Sequence, residues 1–249
     1  AAFVVTAPAN RLDLALEEDL IEEIARLYGY ENIPAVMPET LLVPPRRNEE
    51  LFWEERIKDS LATAGFTEVM IYEFTGKREL NDFWLDEEGL LELENPASPE
   101  TQYLLPRSLI KYIRLASENQ RYQDGVRIFG VSKNFIKNRK AKNLVLALAN
   151  KGASGEEEFY QLKGALDQLF ESMGISEWWY DDKIESGIRS KELGLFHPYR
   201  IAEIKIGEEK IGYLGEIHPE ALKNIKSKAR IAAAEIDFEK LWRLARSET

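Results

Sequence analysis

Two apolar runs, Val126–Val131 and Asn143–Ala149, flank a tip that packs four cations into six residues, Lys137-Asn138-Arg139-Lys140-Ala141-Lys142. Runs this close in sequence pair as an antiparallel ribbon. A second hairpin is predicted from Tyr199–Ile206 and Lys210–Ile217 around Gly207-Glu208-Glu209, and Ala232, Ala234 and Ile236 alternate along a further strand, Ile231–Phe238. Shorter strands are expected at Ala1–Thr6, Phe66–Phe74 and Leu90–Glu94. Between them lie single helices, each read from an apolar stripe at three- and four-residue steps. Trp53, Ile57, Leu61 and Ala64 mark one that Asn48 caps and Gly65 closes; Leu109, Ile113 and Ala116 mark one ending at Tyr122; Phe159, Leu162, Leu166, Leu169, Phe170 and Met173 mark one ended by Gly174. Glu239–Ala245 is predicted to be a last helix. Hairpin-linked strands broken by single helices, with no regular β-α-β rhythm, imply an α+β fold with a largely antiparallel sheet flanked by helices. A doubly wound nucleotide-binding sheet is excluded.

The chain has 249 residues, 44% of them hydrophobic and 31% charged, enough for one substantial core and a small appendage. It contains no cysteine and no apolar run long enough to span a bilayer, so the sequence gives no support for a disulfide scaffold or for membrane insertion, and a cytoplasmic setting is expected. A net charge of −11 argues against a nucleic-acid footprint over the whole surface, so any RNA contact must be local.

The most telling stretch lies near the start. In Asp13–Pro34, Leu16, Leu20, Ile24 and Leu27 form an apolar stripe, Glu18, Asp19, Glu22 and Glu23 crowd the first turns, and Gly29 ends the helix. Acidic groups at a helix start gain roughly 0.3–1 kcal/mol each from the macrodipole, yet carboxylates three and four apart repel one another. A cation in their midst would relieve the repulsion. Pro34, Pro38, Pro44 and Pro45, with Arg46 and Arg47, then read as a linker, dividing the chain into 1–45 and 46–249.

The run Arg11-Leu12-Asp13, Glu18-Asp19-Leu20-Ile21-Glu22-Glu23, Ala25-Arg26 and Tyr28-Gly29-Tyr30-Glu31-Asn32-Ile33-Pro34 resembles the end of the B5 domain in the β chain of bacterial phenylalanyl-tRNA synthetases. Gly65-Phe66-Thr67-Glu68-Val69, Asn95-Pro96, Phe159-Tyr160-Gln161-Leu162-Lys163-Gly164, Leu195-Phe196-His197-Pro198 and Gly212-Tyr213-Leu214-Gly215-Glu216-Ile217-His218-Pro219 resemble further signatures of the same family. The resemblance implies a B5 remnant followed by a catalytic-like module, a degenerate relative of class II aminoacyl-tRNA synthetase cores, and a chain that is a piece of a longer one. It implies a non-catalytic scaffold for the catalytic alpha subunit of phenylalanine–tRNA ligase, an α2β2 enzyme joining phenylalanine to tRNA(Phe) with ATP. By the same resemblance Asp13, Asp19, Glu22 and Glu23 match positions that hold a magnesium ion shared with the alpha subunit.

The residues themselves argue against catalysis in this chain. Class II cores clamp phosphate with arginine in an Arg-x-Glu setting and again on a late strand; here Val126-Arg127-Ile128-Phe129-Gly130-Val131 lacks the glutamate and Ala233-Ala234-Glu235-Ile236-Asp237 lacks the arginine. Arg127 therefore reads as a structural or inherited residue. The sequence also departs from the family's Arg-x-Ser-Leu-x-Pro-Gly at Arg107-Ser108-Leu109-Ile110-Lys111-Tyr112. His197 and His218 read as turn or core histidines, and Trp178-Trp179-Tyr180 as core or interface. The tip residues Lys137, Arg139, Lys140 and Lys142 are candidates for RNA contact, against the plainer reading of a solvated hairpin tip. Two rival functions stand beside the scaffold: a stand-alone synthetase-like paralogue acting on a small molecule, and an RNA-binding module. The partner face is expected in Asn48–Phe74, where Phe52 flanks the Trp53 stripe and the following strand carries apolar residues on both pleats.

Overall fold

The computed structural model describes residues 3–248 other than 40, 42, 138, 153–155 and 185–192. It divides into two units, Ala1–Arg46 and Arg47–Thr249. In the first, helix α1 (Glu17–Tyr28) ends at Gly29, whose φ of 91° lies in the left-handed region that glycine adopts without steric cost. Leu16, Ile24 and Leu27 of its apolar stripe are all exposed. The strand expected at Ala1–Thr6 is not found over residues 3–6, and residues 1 and 2 lie outside the described set. Those four residues have no neighbouring strand among the described residues to take up their N–H and C=O groups, and an isolated strand does not hold.

The second unit begins with helix α2 (Glu49–Thr63), capped by the Asn48 side chain, which accepts the Leu51 N–H at 3.3 Å. Trp53, Ile57 and Leu61 are its buried face. The chain then makes strands β1 (Thr67–Glu68) and β2 (Phe74–Thr75), helix α3 (Lys77–Asp82), strand β3 (Tyr103–Leu104) and helix α4 (Leu109–Asn119). The long ribbon follows as β4 (Gly125–Ile136) and β5 (Arg139–Asn150), then helix α5 (Glu156–Ser172) and strand β6 (Trp178–Asp181). The hairpin β7 (Phe196–Ile206) and β8 (Glu209–Ile217), helix α6 (Pro219–Asn224), strand β9 (Ile231–Asp237) and helix α7 (Phe238–Glu248) complete it.

Seven strands form one sheet in the order β1-β4-β5-β9-β8-β7-β6, antiparallel throughout except where β1 lies parallel to β4. The two runs pair as an antiparallel ribbon, as expected, with Val126 opposite Ala149 and Val131 opposite Leu144, and the ribbon runs on to Ile136 opposite Arg139. Alternation sorts the side chains between two cores. Leu144, Leu146 and Leu148 of β5, with Ala232, Ala234 and Ile236 of β9, face α2, α5 and α7; Val145, Ala147 and Ala149, with Ile231 and Ala233, face α4 and α6. Both faces are dry, so the central strands are apolar at nearly every position rather than at every second one. Each large aliphatic or aromatic side chain so buried contributes about 1.5–3 kcal/mol relative to its exposed state.

The run Phe66–Phe74 is not one strand. Thr67 and Glu68 pair with Ile128 and Phe129, whereas Phe74 and Thr75 pair with Leu104 and Tyr103 in a separate two-stranded sheet. Serving two sheets, the chain leaves the ladder between them, and Met70 and Tyr72 point into solvent, 96% and 85% exposed. Close approach fixes the departure point: a Cβ on Gly130 would lie 2.6 Å from the Val69 carbonyl oxygen and 2.2 Å from the Tyr112 hydroxyl. Leu90–Glu94 likewise reduces to a single bridge, Glu92 to Tyr103.

Trp178 and Tyr180 attach the edge strand to α5 through one carboxylate. Asp167 accepts the Trp178 indole N–H and the Tyr180 hydroxyl, both at 2.8 Å, and pairs with Lys163 at 3.0 Å. Burial would push this carboxyl up, but the hydrogen bonds from Trp178, Lys163 and Tyr180 outweigh it and hold the group below its ordinary value. A depressed folded pKa stabilises at pH above the unfolded value of about 3.9 and loses that contribution as pH falls through the folded value. Asp167→Ala is therefore expected to cost about 1–3 kcal/mol in urea unfolding at pH 7. The gap to the parent protein should narrow below about pH 4; a gap that does not change with pH would contradict this account.

Candidate functional site

Three places could serve a function: the acidic helix start, the cationic ribbon tip, and a cleft on the face of the sheet that carries α4.

At the helix start the cation that the sequence calls for is an arginine of the chain itself. Arg11 donates to both oxygens of Asp13 at 3.0 and 3.1 Å from Nε, again to Asp13 at 2.7 Å from Nη2, and to Glu23 at 2.5 Å. Arg26 closes on the other oxygen of Glu23. Arg11 holds Asp13 below the usual carboxylate range, and Arg11 with Arg26 does the same for Glu23. Asp19 is engaged by the backbone instead. Its Oδ2 accepts the N–H groups of Leu16 and Ala15, both at 2.8 Å, which caps α1 and lowers its own pKa. Glu22 is exposed to solvent. Thus the structure joins Asp13 to Glu23 through Arg11, but it does not gather Asp13, Asp19, Glu22 and Glu23 around one point. Among the described residues no cluster of three acidic or histidine side chains is placed to hold a metal ion. The donor set is still the right chemistry for a hard divalent cation, which takes carboxylate oxygens and keeps several waters.

The ribbon tip is divided in its use. Lys137 and Lys140 are exposed, Lys140 lying 5.9 Å from the Phe135 ring. The Arg139 side chain and Asn138 lie outside the described residues. Lys142 turns back into the fold, its Nζ 2.7 Å from Glu50 and 2.6 Å from Glu54 of α2 and 4.6 Å from the Phe238 ring. Strand alternation explains this, because position 142 shares the face of Leu144 and Leu146 that packs on α2 and α7.

The cleft, about 410 Å³, lies beyond the N-terminal end of α4, and its lining includes Pro106, Arg107, Asn134, Asn143, Tyr213 and Glu235. Two of its charged groups answer one another. Arg107 donates to Glu235 Oε2 at 2.8 Å from Nε and 2.7 Å from Nη2, with both side chains nearly buried, and Asn143 donates to the other oxygen at 3.3 Å. Asn134 accepts the Ser108 N–H at 2.7 Å. Arg127, the residue in the place of a phosphate clamp, leaves β4 on the opposite side: it is exposed and donates to Gln161 of α5 at 3.1 Å. Parity forbids it from entering a cleft lined by Asn134 of the same strand. His197 and His218 each accept a backbone N–H two residues on, at 3.2 Å, and so brace turns.

One cationic segment, Lys223–Arg230, with four cations in eight residues, was not singled out from the sequence. Its density was legible, but the bulge of β7 and the buried Glu216 of β8 that it meets were not.

Known proteins agree on what this arrangement is similar to. The family model described as the phenylalanyl tRNA synthetase beta chain CLM domain matches residues 33–238, and the tRNA synthetase B5 domain model matches residues 1–30. The phenylalanine–tRNA ligase beta subunits of Moorella thermoacetica and Syntrophus aciditrophicus are 34% and 30% identical over 98% and 97% of this chain. The chain spans 31% and 32% of those two relatives, about a third of their length. Among solved structures, the pyrrolysyl-tRNA synthetase of Desulfitobacterium hafniense aligns with a TM-score of 0.64 at 16% identity, covering 92% of this chain and 76% of that one. At that identity the likeness is one of fold, an α+β class II synthetase-like sheet flanked by helices.

The ion pair in the cleft gives a stability prediction. Arg107→Ala strands the Glu235 charge in a nearly dry place and should cost about 3–5 kcal/mol, whereas Arg107→Met combined with Glu235→Leu should be close to neutral. Arg127→Ala should change stability by less than about 0.5 kcal/mol. Chemical denaturation of the variants measures all of this, and equal losses for the single and the double Arg107 variants would refute it.

Proposed function

Because the chain belongs to the phenylalanyl-tRNA synthetase beta chain family, we propose that it is a non-catalytic scaffold part of a phenylalanine–tRNA ligase beta subunit, which with the alpha subunit attaches phenylalanine to tRNA(Phe) using ATP. In this reading residues 1–45 are the B5 remnant and linker, 46–249 the catalytic-like module, and the enzyme is a cytoplasmic α2β2 assembly. No described helix is long and apolar enough to cross a membrane.

One observation carries the reading: Met70 and Tyr72 stand almost fully exposed on the connection between β1 and β2. Large apolar groups side by side in water are costly, and obligate interfaces are where such groups become buried. Helix α2 lies next to them in sequence, with Phe52 between the Arg47 guanidinium, 3.8 Å from its ring, and the Trp53 indole. Two features speak against catalysis in this chain. Arg107 and Glu235 of the cleft are engaged with each other, and Arg127 projects from the other face. Lys137, Arg139, Lys140 and Lys142 are the proposed RNA-contacting residues of the tip, and the exposure of Lys137 and Lys140 supports this, whereas Lys142 is engaged with Glu50 and Glu54.

The magnesium ion is proposed to be held by Asp13, Asp19, Glu22 and Glu23 with the remaining ligands from the alpha subunit. Bound there it would neutralise negative charge at the junction of the two chains. The chain's own part is to position carboxylates, and Arg11, Arg26 and the α1 cap hold Asp13, Asp19 and Glu23 below the ordinary carboxylate range.

Two experiments test the proposal. Co-expression with the cognate alpha chain should give a co-purifying complex, and Met70→Asp with Tyr72→Asp should abolish it while leaving the circular dichroism of this chain unchanged; retained association would remove this face from the interface. Asp19→Asn keeps an oxygen to cap α1 while deleting charge, so with Glu23→Gln it should lower the magnesium dependence of complex assembly in sedimentation runs. Unaltered dependence would dismiss the site.

A further inference from the structure

Strands β7 and β8 fall out of register twice, by one residue near the Gly207 turn and by more at the far end. Phe196 lies opposite Ile217 and Ile201 opposite Gly215, so His197, Pro198, Tyr199 and Arg200 stand against the single residue Glu216. A bulge of this size bends the strand outward and re-aims its side chains. Arg200 turns back to Glu216, which is 1% exposed and also receives Arg230 Nε at 2.6 Å on its other oxygen. One buried carboxylate thus fixes two guanidinium groups that are themselves 45% and 39% exposed. Tyr199 is 85% exposed, its ring 6.2 Å from that of His197, an imidazole close enough to Arg200, Glu216 and Arg230 to feel their charges.

The segment that leads to Arg230 adds three exposed lysines, Lys223, Lys226 and Lys228. Helix α6 ends there in a reverse turn, with Lys226 N–H bonded to Lys223 O at 3.0 Å and Ser227 N–H to Leu222 O at 2.9 Å. Lys226 occupies the left-handed position, φ 57°, that glycine ordinarily takes, so a lysine is kept at a conformational cost. Residues 197–200 and 216–230 together hold five Lys and Arg side chains against two carboxylates, in a chain whose net charge is −11.

We propose that this end of the sheet, Tyr199 with Arg200, Arg230, Lys223, Lys226 and Lys228, is a binding surface for single-stranded RNA. Charge alone would suit any polyanion. The exposed ring beside fixed guanidinium groups selects the nucleic acid, because a base stacks on such a ring while the cations track the backbone. The surface does not depend on the ribbon tip: Ala149 pairs with Ile231 at this end of β5, nine residues and roughly 30 Å along the strand from Lys140.

The test is fluorescence anisotropy of the 249-residue chain with an end-labelled mixed-sequence single-stranded RNA of about 20 nucleotides, long enough to cover one or more single-strand sites, a duplex of equal length and a labelled polyglutamate peptide. Arg200 and Arg230 are left intact because Glu216 needs them. Lys223→Gln, Lys226→Asn and Lys228→Gln together should remove about 2 from the slope of log K against log salt, at roughly 0.7 per phosphate on single strands. Tyr199→Ala should weaken single-strand binding about 5- to 150-fold, from roughly 1–3 kcal/mol per stacked base, and leave the salt slope unchanged. Lys137→Gln with Lys140→Gln should leave the effect of Tyr199→Ala intact, which separates this surface from the tip. Thermal melts of the variants confirm folding. Absence of single-strand binding at low salt, variants that bind as the parent does, or polyglutamate bound as tightly as RNA with no effect of Tyr199→Ala would each overturn the proposal, the last in favour of an acidic protein partner.

Discussion

The antiparallel pairing of β5 with β9 is the constraint on which the larger unit depends. Asn143 to Ala149 pair rung for rung with Asp237 to Ile231, and the apolar side chains on both strands are almost completely buried. Because helices cover both faces, neither parity can be polar in the middle of the strands. The alanines of β9 follow from this. Ala232, Ala233 and Ala234 leave room for α5 on one side and α4 on the other, where larger side chains would overpack a core already at crystal-like density.

Past the end of α4 the same alternation acts on uncovered sheet. Positions with the parity of Val145 and Ala233 become Asn143, Glu235 and Asp237, and these line the cleft. With no helix of the described residues above them, they satisfy one another: Glu235 takes Arg107 from the loop before α4 and Asn143 from the next strand. The opposite parity sends Arg127 and Lys142 to the other side, to Gln161 and to Glu50 and Glu54. A guanidinium on a strand serves a site only if its parity agrees with that of the site. No change of rotamer brings Arg127 into the cleft.

Most of the sheet was legible because its determinants are local. The β4–β5 ribbon, the β7–β8 hairpin, and the stripes of α2, α4 and α5 each depend on residues within one element or across one tight turn. The largest misreading has its partners far off in the chain. Phe66–Phe74 has the composition of a strand, but its two ends pair with Ile128–Phe129 and with Tyr103–Leu104, and no local pattern encodes that division. Helices α3 and α6 have six residues each, too few to show a period. The four carboxylates of the acidic helix were recognisable as a group. Their actual partners, Arg11, Arg26 and the backbone at Ala15 and Leu16, were not separable from spacing alone, since Asp19 is equally suited to cap a helix or to ligate a cation.

The charge distribution follows a common rule in both units. In a chain of net charge −11 arginine meets carboxylates at several places, among them Arg11 between Asp13 and Glu23, Arg200 and Arg230 about Glu216, and Arg107 on Glu235. Arginine suits this role because its planar fork spans two oxygens and its charge persists through burial. The lysines at 137, 140, 223, 226 and 228 are held by no such carboxylate among the described residues and remain in solvent. The result is an acidic protein with exposed lysines gathered at the two ends of one sheet, a distribution that a mean over the surface conceals. Its potential at each end is set by a few side chains rather than by the net charge, and at physiological ionic strength, where fields decay over about 8 Å, each end presents its own sign to whatever approaches it.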